Sequence, residues 1–284
     1  MPQVLFAGAS GRVGHMLRAF WPTEGQRAVW YGRSRQGRPD WVDWRPGQAL
    51  PASVQALVVL AAPTRGSAAE LAEGAVIGRA LAQAARAAGL DRVLLVSSMA
   101  VYGATPEGGA TEDCPPRDPS AYGAAKLAQE EAVEAELAGS ATRLCTLRVG
   151  NVIGADLLGR LVASGERMVL DRFADGGGPW RSYIGPGQLV EVLLGLMALP
   201  QDRLPSRLNV AVPAPMAMAD LLDAARIPFV WQPAPETARQ HVTMDCTRLS
   251  RLLPGAGWQA ADAASMVGQW QAARARLAGA GWGA

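Results

Sequence analysis

A strand, a glycine-rich turn and a helix open this sequence, and their order constrains the fold more than any other feature. The apolar run Gln3–Ala7 ends in Gly8-Ala-Ser-Gly11-Arg-Val-Gly14, and a helical stretch follows as far as Phe20. Glycines permit a tight turn, the close approach of a phosphate and close packing of helix on strand. The helix N-terminus then lies where it can hold a pyrophosphate. The spacing is GxxGxxG, one residue longer at the first gap than the usual dinucleotide fingerprint, and an ordinary glycine-rich turn is the alternative.

Apolar runs alternate with helical stretches as far as Val149. The run Val54–Ala62 is apolar apart from Gln55, as in a parallel strand covered on both faces. An alanine-rich helix is predicted over Ala68–Ala88, where Gly89 ends it, and Arg92–Val96 is predicted as a further buried strand. This alternation predicts an α/β fold, a Rossmann-type doubly wound parallel sheet.

The pattern changes after Gly150 to short helices, turns and a glycine run. We therefore predict two domains, an NAD(P)-binding Rossmann domain at 1–150 and a smaller C-terminal substrate lobe at 151–284. The helix at 187–199 is expected to pack back on the first domain.

Composition excludes several classes of protein. Hydrophobic residues make up 49% and charged residues 18% of the 284 residues, which is ample for a core. The net charge of +2 is not gathered into a basic stripe, so no nucleic-acid partner is expected. The longest apolar run, Ala56–Ala62, is too short to cross a membrane, and Met1-Pro2-Gln3 leads into a strand without a signal sequence.

Cysteine and histidine usage points to a cytoplasmic protein without a metal. The three cysteines form no CxxC pair, and their odd number argues for reduced thiols. Neither of the two histidines has a metal-ligand spacing.

The segment after the second predicted strand, Ala28–Gly32, bears on the choice of dinucleotide. An acid at this place holds the adenosine ribose, whereas arginine accommodates a 2′-phosphate. The chain has Gly32 followed by Arg33 and Arg35, so we expect NADP in preference to NAD; a solvated basic loop is the alternative. Asp43 is suggested to meet the adenine.

A serine, a tyrosine and a lysine form the candidate catalytic group. Ser98 follows a buried strand at its carboxyl end, where ligands of α/β sheets bind. Tyr122 and Lys126 are four apart on one helix face. A free phenol has a pKa near ~10, and a neighbouring ammonium is expected to lower it. An exposed pair is the alternative.

With these residues in this order, the chain resembles the extended short-chain dehydrogenase/reductase family, also called the NAD-dependent epimerase/dehydratase family. Val96-Ser-Ser-Met-Ala-Val-Tyr-Gly103 and Tyr122-Gly-Ala-Ala-Lys126 are similar to its strand-end and YxxxK motifs. Leu147-Arg-Val-Gly-Asn-Val-Ile-Gly154 and Arg181-Ser-Tyr-Ile184 are similar to its substrate motifs.

The resemblance implies a role for each site residue. Tyr122 is the acid/base, Lys126 lowers its pKa and holds the nicotinamide ribose, and Ser98 bonds the reacting oxygen. Asn151 touches substrate and Arg181 grips a diphosphate. The full set is catalytic Ser98, Tyr122 and Lys126, substrate-binding Ser98, Met99, Asn151 and Arg181, and cofactor-binding Gly8, Ser10, Gly11, Arg12, Val13, Gly14, Arg33, Arg35, Asp43, Trp44, Ala61, Ala62, Tyr122 and Lys126.

Departures from the family pattern narrow the chemistry. Sugar-dehydrating members follow the active hydroxyl with an Asp-Glu pair, whereas this chain has Met99 and Ala100. One acid/base remains, which is enough for simple reduction or oxidation and for epimerisation through a transient ketone. Arg12 also stands where an apolar or aromatic residue is usual.

We therefore expect an NADPH-dependent oxidoreductase that reduces a carbonyl on a sugar-like substrate, possibly nucleotide-linked. Two alternatives stay open, a nucleotide-sugar 4-epimerase with retained NAD and a non-catalytic NADP-sensing regulator. A homodimer through the helices at Ala68–Ala88 and around Tyr122 is also expected, because both are alanine-rich and family members often pair through them.

Overall fold

The computed structural model describes residues 3–22, 27–32, 41, 45, 47–156, 158–159, 165, 167–254 and 261–279. The strands are β1 (Gln3–Ala7), β2 (Arg27–Tyr31), β3 (Val54–Val59), β4 (Arg92–Ser98), β5 (Arg143–Val149), β6 (Asn151–Val152), β7 (Met168–Arg172), β8 (Trp180–Arg181), β9 (Tyr183–Ile184), β10 (Arg207–Val210), β11 (Met216–Ala217), β12 (Phe229–Pro233) and β13 (His241–Val242). The α-helices are α1 (Arg12–Phe20), α2 (Ala68–Ala87), α3 (Ala121–Leu137), α4 (Pro186–Ala198), α5 (Met218–Ala224), α6 (Thr247–Leu252) and α7 (Ala263–Gly279). Short 3-10 helices span Met99–Tyr102 and Gln201–Arg203.

Six parallel strands form the central sheet, in the order β10-β5-β4-β3-β1-β2. Successive residues of β1 face opposite sides: Val4 and Phe6 join the larger core cluster, while Leu5 and Ala7 join the cluster under α2 and α3. The sheet is therefore buried on both faces, which explains its largely apolar strands. The predicted α/β, Rossmann-type parallel sheet is confirmed.

Helix ends follow the local sequence. Ser67 and Glu70 form a reciprocal capping box at the start of α2, and Gly89, with φ of +62°, follows its end. The Ser120 side chain accepts a hydrogen bond from the Gly123 N–H at 3.2 Å, so Ser120 is the N-cap of α3. These caps fix where the Tyr122 helix begins.

The C-terminal half contributes to the main sheet. β10 pairs with β5, so the sixth strand comes from beyond Gly150. α4 packs on α1, where a side chain at Gly187 would lie 3.1 Å from a ring carbon of Phe20. The division into 1–150 and 151–284 stays a prediction. Among the helices that the structure describes, none is long and apolar enough to span a bilayer.

Candidate active site

The glycine turn brings α1 close to the ends of β1 and β3. Gly8 has φ of +97°, and a Cβ there would stand 2.5 Å from the backbone nitrogen of Ala61. A Cβ on Gly14 would stand 2.6 Å from the Cα of Ala9. Side chains at either position would push the helix or the strand away, so the tight turn requires both glycines.

The N-terminus of α1 suits an anion. Its N-cap is Gly11, which has no side chain to bond the free N–H groups, and the first turn contains no acid. Arg12 is exposed and Val13 half-buried in this turn. Uncapped N–H groups with a cation beside them fit a pyrophosphate.

Ser10 leaves no room for a side chain at Gly32, the position directly after β2 where an acid would hold the adenosine ribose. A Cβ on Gly32 would lie 2.7 Å from the Ser10 Oγ and 2.9 Å from the Ser10 backbone nitrogen. A larger residue at this position therefore collides with the turn itself. Arg33, Arg35, Asp43 and Trp44 lie outside the described residues, so their predicted contacts with the cofactor stay predictions. Trp41 is described and forms an isolated parallel bridge with Trp30.

Ser98 and Tyr122 meet because α3 starts directly against the 3-10 helix. A Cβ on Gly123 would collide with the Ala100 carbonyl oxygen, so only glycine allows this approach. The Ser98 Oγ accepts a hydrogen bond from the Ala100 N–H at 3.2 Å, and the Ser98 hydroxyl is near enough to the half-buried phenol of Tyr122 to lower its pKa. The two predicted catalytic hydroxyls thus lie near each other.

The Tyr122 phenol does not have the expected lowered pKa. Burial raises the pKa of Tyr122 above its usual value of 10.0, and the nearby Ser98 hydroxyl opposes this only in part. The expectation that Lys126 lowers this pKa is wrong for this state of the protein, because burial dominates. The phenol is therefore protonated at neutral pH.

Lys126 is buried, and its ammonium is held by protein oxygens. Its side chain is 4% exposed, and Nζ donates to the Val96 carbonyl oxygen at 2.8 Å and to the Gln129 Oε1 at 2.7 Å. Burial lowers the pKa of Lys126 to about 8, although the charge of Glu130 opposes this. Lys126 is also the single lysine among the 27 Lys and Arg residues of the chain.

Gln129 and Glu130 are residues that sequence reasoning missed. Both are polar yet at most 2% exposed, and they follow Lys126 by three and four positions on the inward face of α3. The Glu130 carboxylate accepts hydrogen bonds from Ser97 and Arg148, while Gln129 bonds Lys126. Polar residues recurring at helical spacing from the YxxxK lysine are the signal that could have found them.

The predicted substrate and strand-end residues lie around this group. Ala61 and Ala62 are half-buried just after β3. Met99 is 6% exposed and packs in a core cluster beside Ser98. The half-buried Asn151 lies on β6 and pairs with Tyr183 of β9.

Arg181 is engaged by backbone oxygens. Its guanidinium donates to the carbonyls of Trp180 at 2.7 Å, Gln240 at 2.8 Å and Arg239 at 3.1 Å. A guanidinium carries more N–H groups than these three bonds use. Diphosphate binding by Arg181 stays a prediction, and it would draw on those remaining groups or exchange carbonyl bonds.

Asp156 is a third residue that the sequence did not reveal. Its Oδ1 accepts a hydrogen bond from the Gly159 N–H at 3.1 Å. Burial raises the pKa of Asp156 to about 6, against the attraction of Arg12. This carboxylate therefore links the glycine turn electrostatically to the segment after Asn151.

The arrangement provides one site with two parts. An uncapped helix N-terminus stands at the glycine turn, and a protonated phenol with a serine hydroxyl stands at the end of β4. Within the described residues, no group of three or more His, Cys, Asp or Glu could hold a metal ion. The chemistry available to these side chains is proton transfer to or from an oxygen.

Solved structures share this fold over nearly their whole length. MoeE5 in complex with UDP-glucuronic acid and NAD superposes with a TM-score of 0.78 at 23% identity, covering 97% of this chain and 100% of that one. The UDP-glucose 4-epimerase of Thermus thermophilus in complex with NAD gives 0.70 at 21%, covering 95% and 99%. TunA, an NAD dependent-NDP-hexosamine 5,6-dehydratase, gives 0.75 at 20%, covering 96% and 98%.

Sequence comparison identifies the family. No curated protein sequence matches this chain. The model of the NAD dependent epimerase/dehydratase family matches residues 4–211, which contain the glycine turn, Ser98, Tyr122 and Lys126. The match confirms the resemblance inferred from those motifs and an enzyme of the extended short-chain dehydrogenase type. The chain belongs to the NAD dependent epimerase/dehydratase family.

Proposed function

We propose that this protein is an NADPH-dependent oxidoreductase that reduces a carbonyl on a sugar-like or nucleotide-linked sugar substrate. The observation that carries the proposal is the proximity of Ser98 and Tyr122 at the end of β4. The neighbouring strand β3 ends behind the glycine turn. Lys126 stands one helical turn from Tyr122, and Gln129 bonds both Lys126 and Ala61. The Tyr122 phenol and the glycine turn thus belong to one connected site.

The proton steps follow from the state of the side chains. The dinucleotide, when bound, supplies the hydride. Ser98 donates a hydrogen bond to the carbonyl oxygen and polarises it, and Tyr122 gives that oxygen its proton as the alcohol forms. The phenol carries this proton at neutral pH, which lies well below its usual pKa of 10.0, and this is the form that reduction needs.

Dehydration is disfavoured by the residues after Ser98. Elimination needs an acid and a base beside the phenol, and the buried Met99 and the apolar Ala100 supply neither. TunA is a dehydratase, whereas Met99 and Ala100 of this chain supply neither an acid nor a base for elimination.

The preference for NADP is supported by the collision between a side chain at Gly32 and Ser10, which excludes the ribose-binding acid, and by Arg33 and Arg35. A thermal-shift comparison tests it, since a ligand that binds only the folded state raises Tm. NADPH is expected to raise Tm more than NADH at equal concentration, and the double variant Arg33→Ala, Arg35→Ala loses that difference. A larger shift with NADH in the unaltered protein would contradict the preference.

A nucleotide-sugar 4-epimerase with retained NAD is the second candidate. MoeE5 is bound to NAD with UDP-glucuronic acid or UDP-glucose, and the Thermus protein is a UDP-glucose 4-epimerase. A single phenol also suffices for oxidation and re-reduction at one carbinol. In this reading Asn151 contacts the substrate and Arg181 holds its diphosphate.

One preparation separates the two candidates. The purified protein is denatured and the released dinucleotide is identified, and NADPH consumption is followed with keto sugars and their nucleotide derivatives. Substrate-dependent consumption of NADPH is expected for the reductase. Stoichiometric bound NAD⁺, interconversion of UDP-sugar epimers and no net NADPH consumption would instead establish the epimerase.

The setting that fits either activity is the cytoplasm. All three cysteines, Cys114, Cys145 and Cys246, are free thiols, as in proteins of reducing compartments.

A further inference from the structure

Gln129 has both ends of its side-chain amide bound inside the protein. It is 1% exposed on α3, its Oε1 accepts from the Lys126 Nζ at 2.7 Å, and its Nε2 donates to the Ala61 carbonyl oxygen at 2.9 Å. A flipped amide would face its NH₂ to the ammonium and its oxygen to the carbonyl. Only one orientation therefore satisfies both partners.

The Ala61 end of this bridge lies at the glycine turn. Ala61 follows β3, and its backbone nitrogen is the atom that a Cβ on Gly8 would meet at 2.5 Å. Gln129 thus spans from the lysine of the YxxxK motif to the strand end behind the turn.

A glycine on the neighbouring helix makes room for the bridge. A Cβ on Gly78 of α2 would lie 2.9 Å from the Gln129 Cγ and 3.3 Å from its Nε2. The bridge is therefore built from α2, α3 and β3 together, and it is not a chance contact of a surface side chain.

We propose that Gln129 is a positioning residue, which holds the Lys126 ammonium in place and ties it to the strand end behind the glycine turn. This inference rests on the proposed function only for the catalytic use of Lys126. The charged group acting on Lys126 is Glu130, which is itself paired with Arg148, and Tyr122 lies one turn earlier on α3. A neutral amide stabilises the ammonium without adding charge to this buried cluster.

The single lysine of the chain makes a direct test possible. Protein labelled with ¹³Cε,¹⁵Nζ-lysine gives one lysine side-chain NMR signal, so its pH titration reports Lys126 alone. Gln129→Met keeps the side-chain length and removes both bonds, and we expect the pKa of Lys126 to fall by about 1, the size of one hydrogen bond to a charged group. Gln129→Glu puts a carboxylate beside the ammonium and is expected to raise that pKa.

Gln83→Met is the matched control. Gln83 is a glutamine of α2 that bonds Glu136 of α3 at 3.2 Å, in the same helix pair but away from Lys126. We expect this variant to leave the Lys126 titration unchanged, because it alters packing between the helices without touching the ammonium.

The outcomes separate this inference from the proposed function. If both Gln129 variants titrate like the Gln83→Met protein, the positioning role is overturned, whatever their activity. Should Gln129→Met not fold, the upward shift in Gln129→Glu alone decides the question in the same way. If the NMR pKa moves as expected while the pH profile of kcat does not follow it, Gln129 still positions Lys126 and the catalytic use of Lys126 fails.

Discussion

At the scale of single residues, the chain restricts lysine to one buried place. It uses arginine for its other basic side chains and lysine at 126, where the side chain is 4% exposed. A guanidinium stays charged at all accessible pH values, whereas a buried ammonium can lose its proton. The residue type at this position therefore suits a group whose charge and hydrogen bonds matter to chemistry, beyond a general need for positive charge.

Asp156 gives a pH-dependent prediction at the same scale. Its pKa is about 6 in the folded protein against an ordinary value of 3.8, so the folded state binds more protons between these values. Stability therefore falls as pH rises from about 4 to 6. Asp156→Asn keeps an oxygen for the Gly159 N–H and removes the charge, and it is expected to stabilise the protein by up to about 2 kcal/mol above pH 7.

Urea unfolding of both proteins at a series of pH values checks this prediction. The advantage of the variant should be absent near pH 4 and grow to a plateau above pH 6. An advantage of the same size at every pH would show that ionisation of Asp156 is not its cause.

The sequence was sufficient for some site residues and not for others. The positions of Ser98 at a strand end and of Tyr122 and Lys126 on one helix were predictable because these are local patterns, and their roles stay predictions. The spacing of Gln129 from Lys126 is local as well. The contacts that make Gln129 and Asp156 important were not predictable, because they involve partners far along the chain. Ala61 lies 68 positions from Gln129, and Arg12 lies in the glycine turn. The pKa of Tyr122 was mispredicted since burial depends on the packed molecule.

At the scale of elements, α2 and α3 form the layer that carries Tyr122 and Lys126. Their packing uses two glycines of α2 in different ways. A Cβ on Gly78 would meet Gln129 Cγ at 2.9 Å and Val133 Cγ2 at 3.0 Å, whereas a Cβ on Gly74 would meet the Ala62 Cβ at an ordinary 3.5 Å. Replacement by alanine at Gly74 and at Gly78, one helical turn apart, should thus have opposite effects on the stability of the protein.

Gly74→Ala is expected to stabilise the protein by about 0.5–1 kcal/mol through reduced backbone entropy of the unfolded chain. Gly78→Ala reduces the same backbone entropy but forces α2 and α3 apart, so we expect the free energy of unfolding to fall by about 1–2 kcal/mol. Thermal or urea unfolding measures both. Equal effects of the two substitutions would refute the close approach at Gly78.

Element boundaries were largely predictable, while strand order was not. β1, α1 and α2 begin or end within a residue of their predicted limits, because capping residues and glycines mark them. The pairing of β10 with β5 as the sixth strand of the sheet, for example, was not predictable. Pairing between segments about 60 residues apart leaves no local periodicity in the sequence.

At the scale of the whole molecule, the predicted homodimer has a candidate surface. Val76 on α2 is 70% exposed in the single chain, on one of the two helices through which pairing is expected. A large apolar side chain this exposed is suited to an interface, where an added unpaired charge is costly.

Val76→Arg is therefore expected to convert a dimer into a monomer in sedimentation velocity, with its fold retained. Val169→Arg is the control, because Val169 is 42% exposed on β7, away from both helices. A monomeric unaltered protein, or a Val76→Arg protein that remains dimeric, would exclude pairing through this face.

The most direct test of the central claim is Tyr122→Phe, measured for both turnover and cofactor binding. The claim is that the Tyr122 phenol, which lies near Ser98, transfers the proton to a substrate oxygen beside a bound dinucleotide. We predict that turnover falls by about 10²–10⁴-fold, the usual contribution of a general acid, while the thermal shift with NADPH is kept. Unchanged turnover with intact cofactor binding would contradict the account, and intact NADPH binding with no turnover of any substrate by the unaltered protein would favour the non-catalytic regulator.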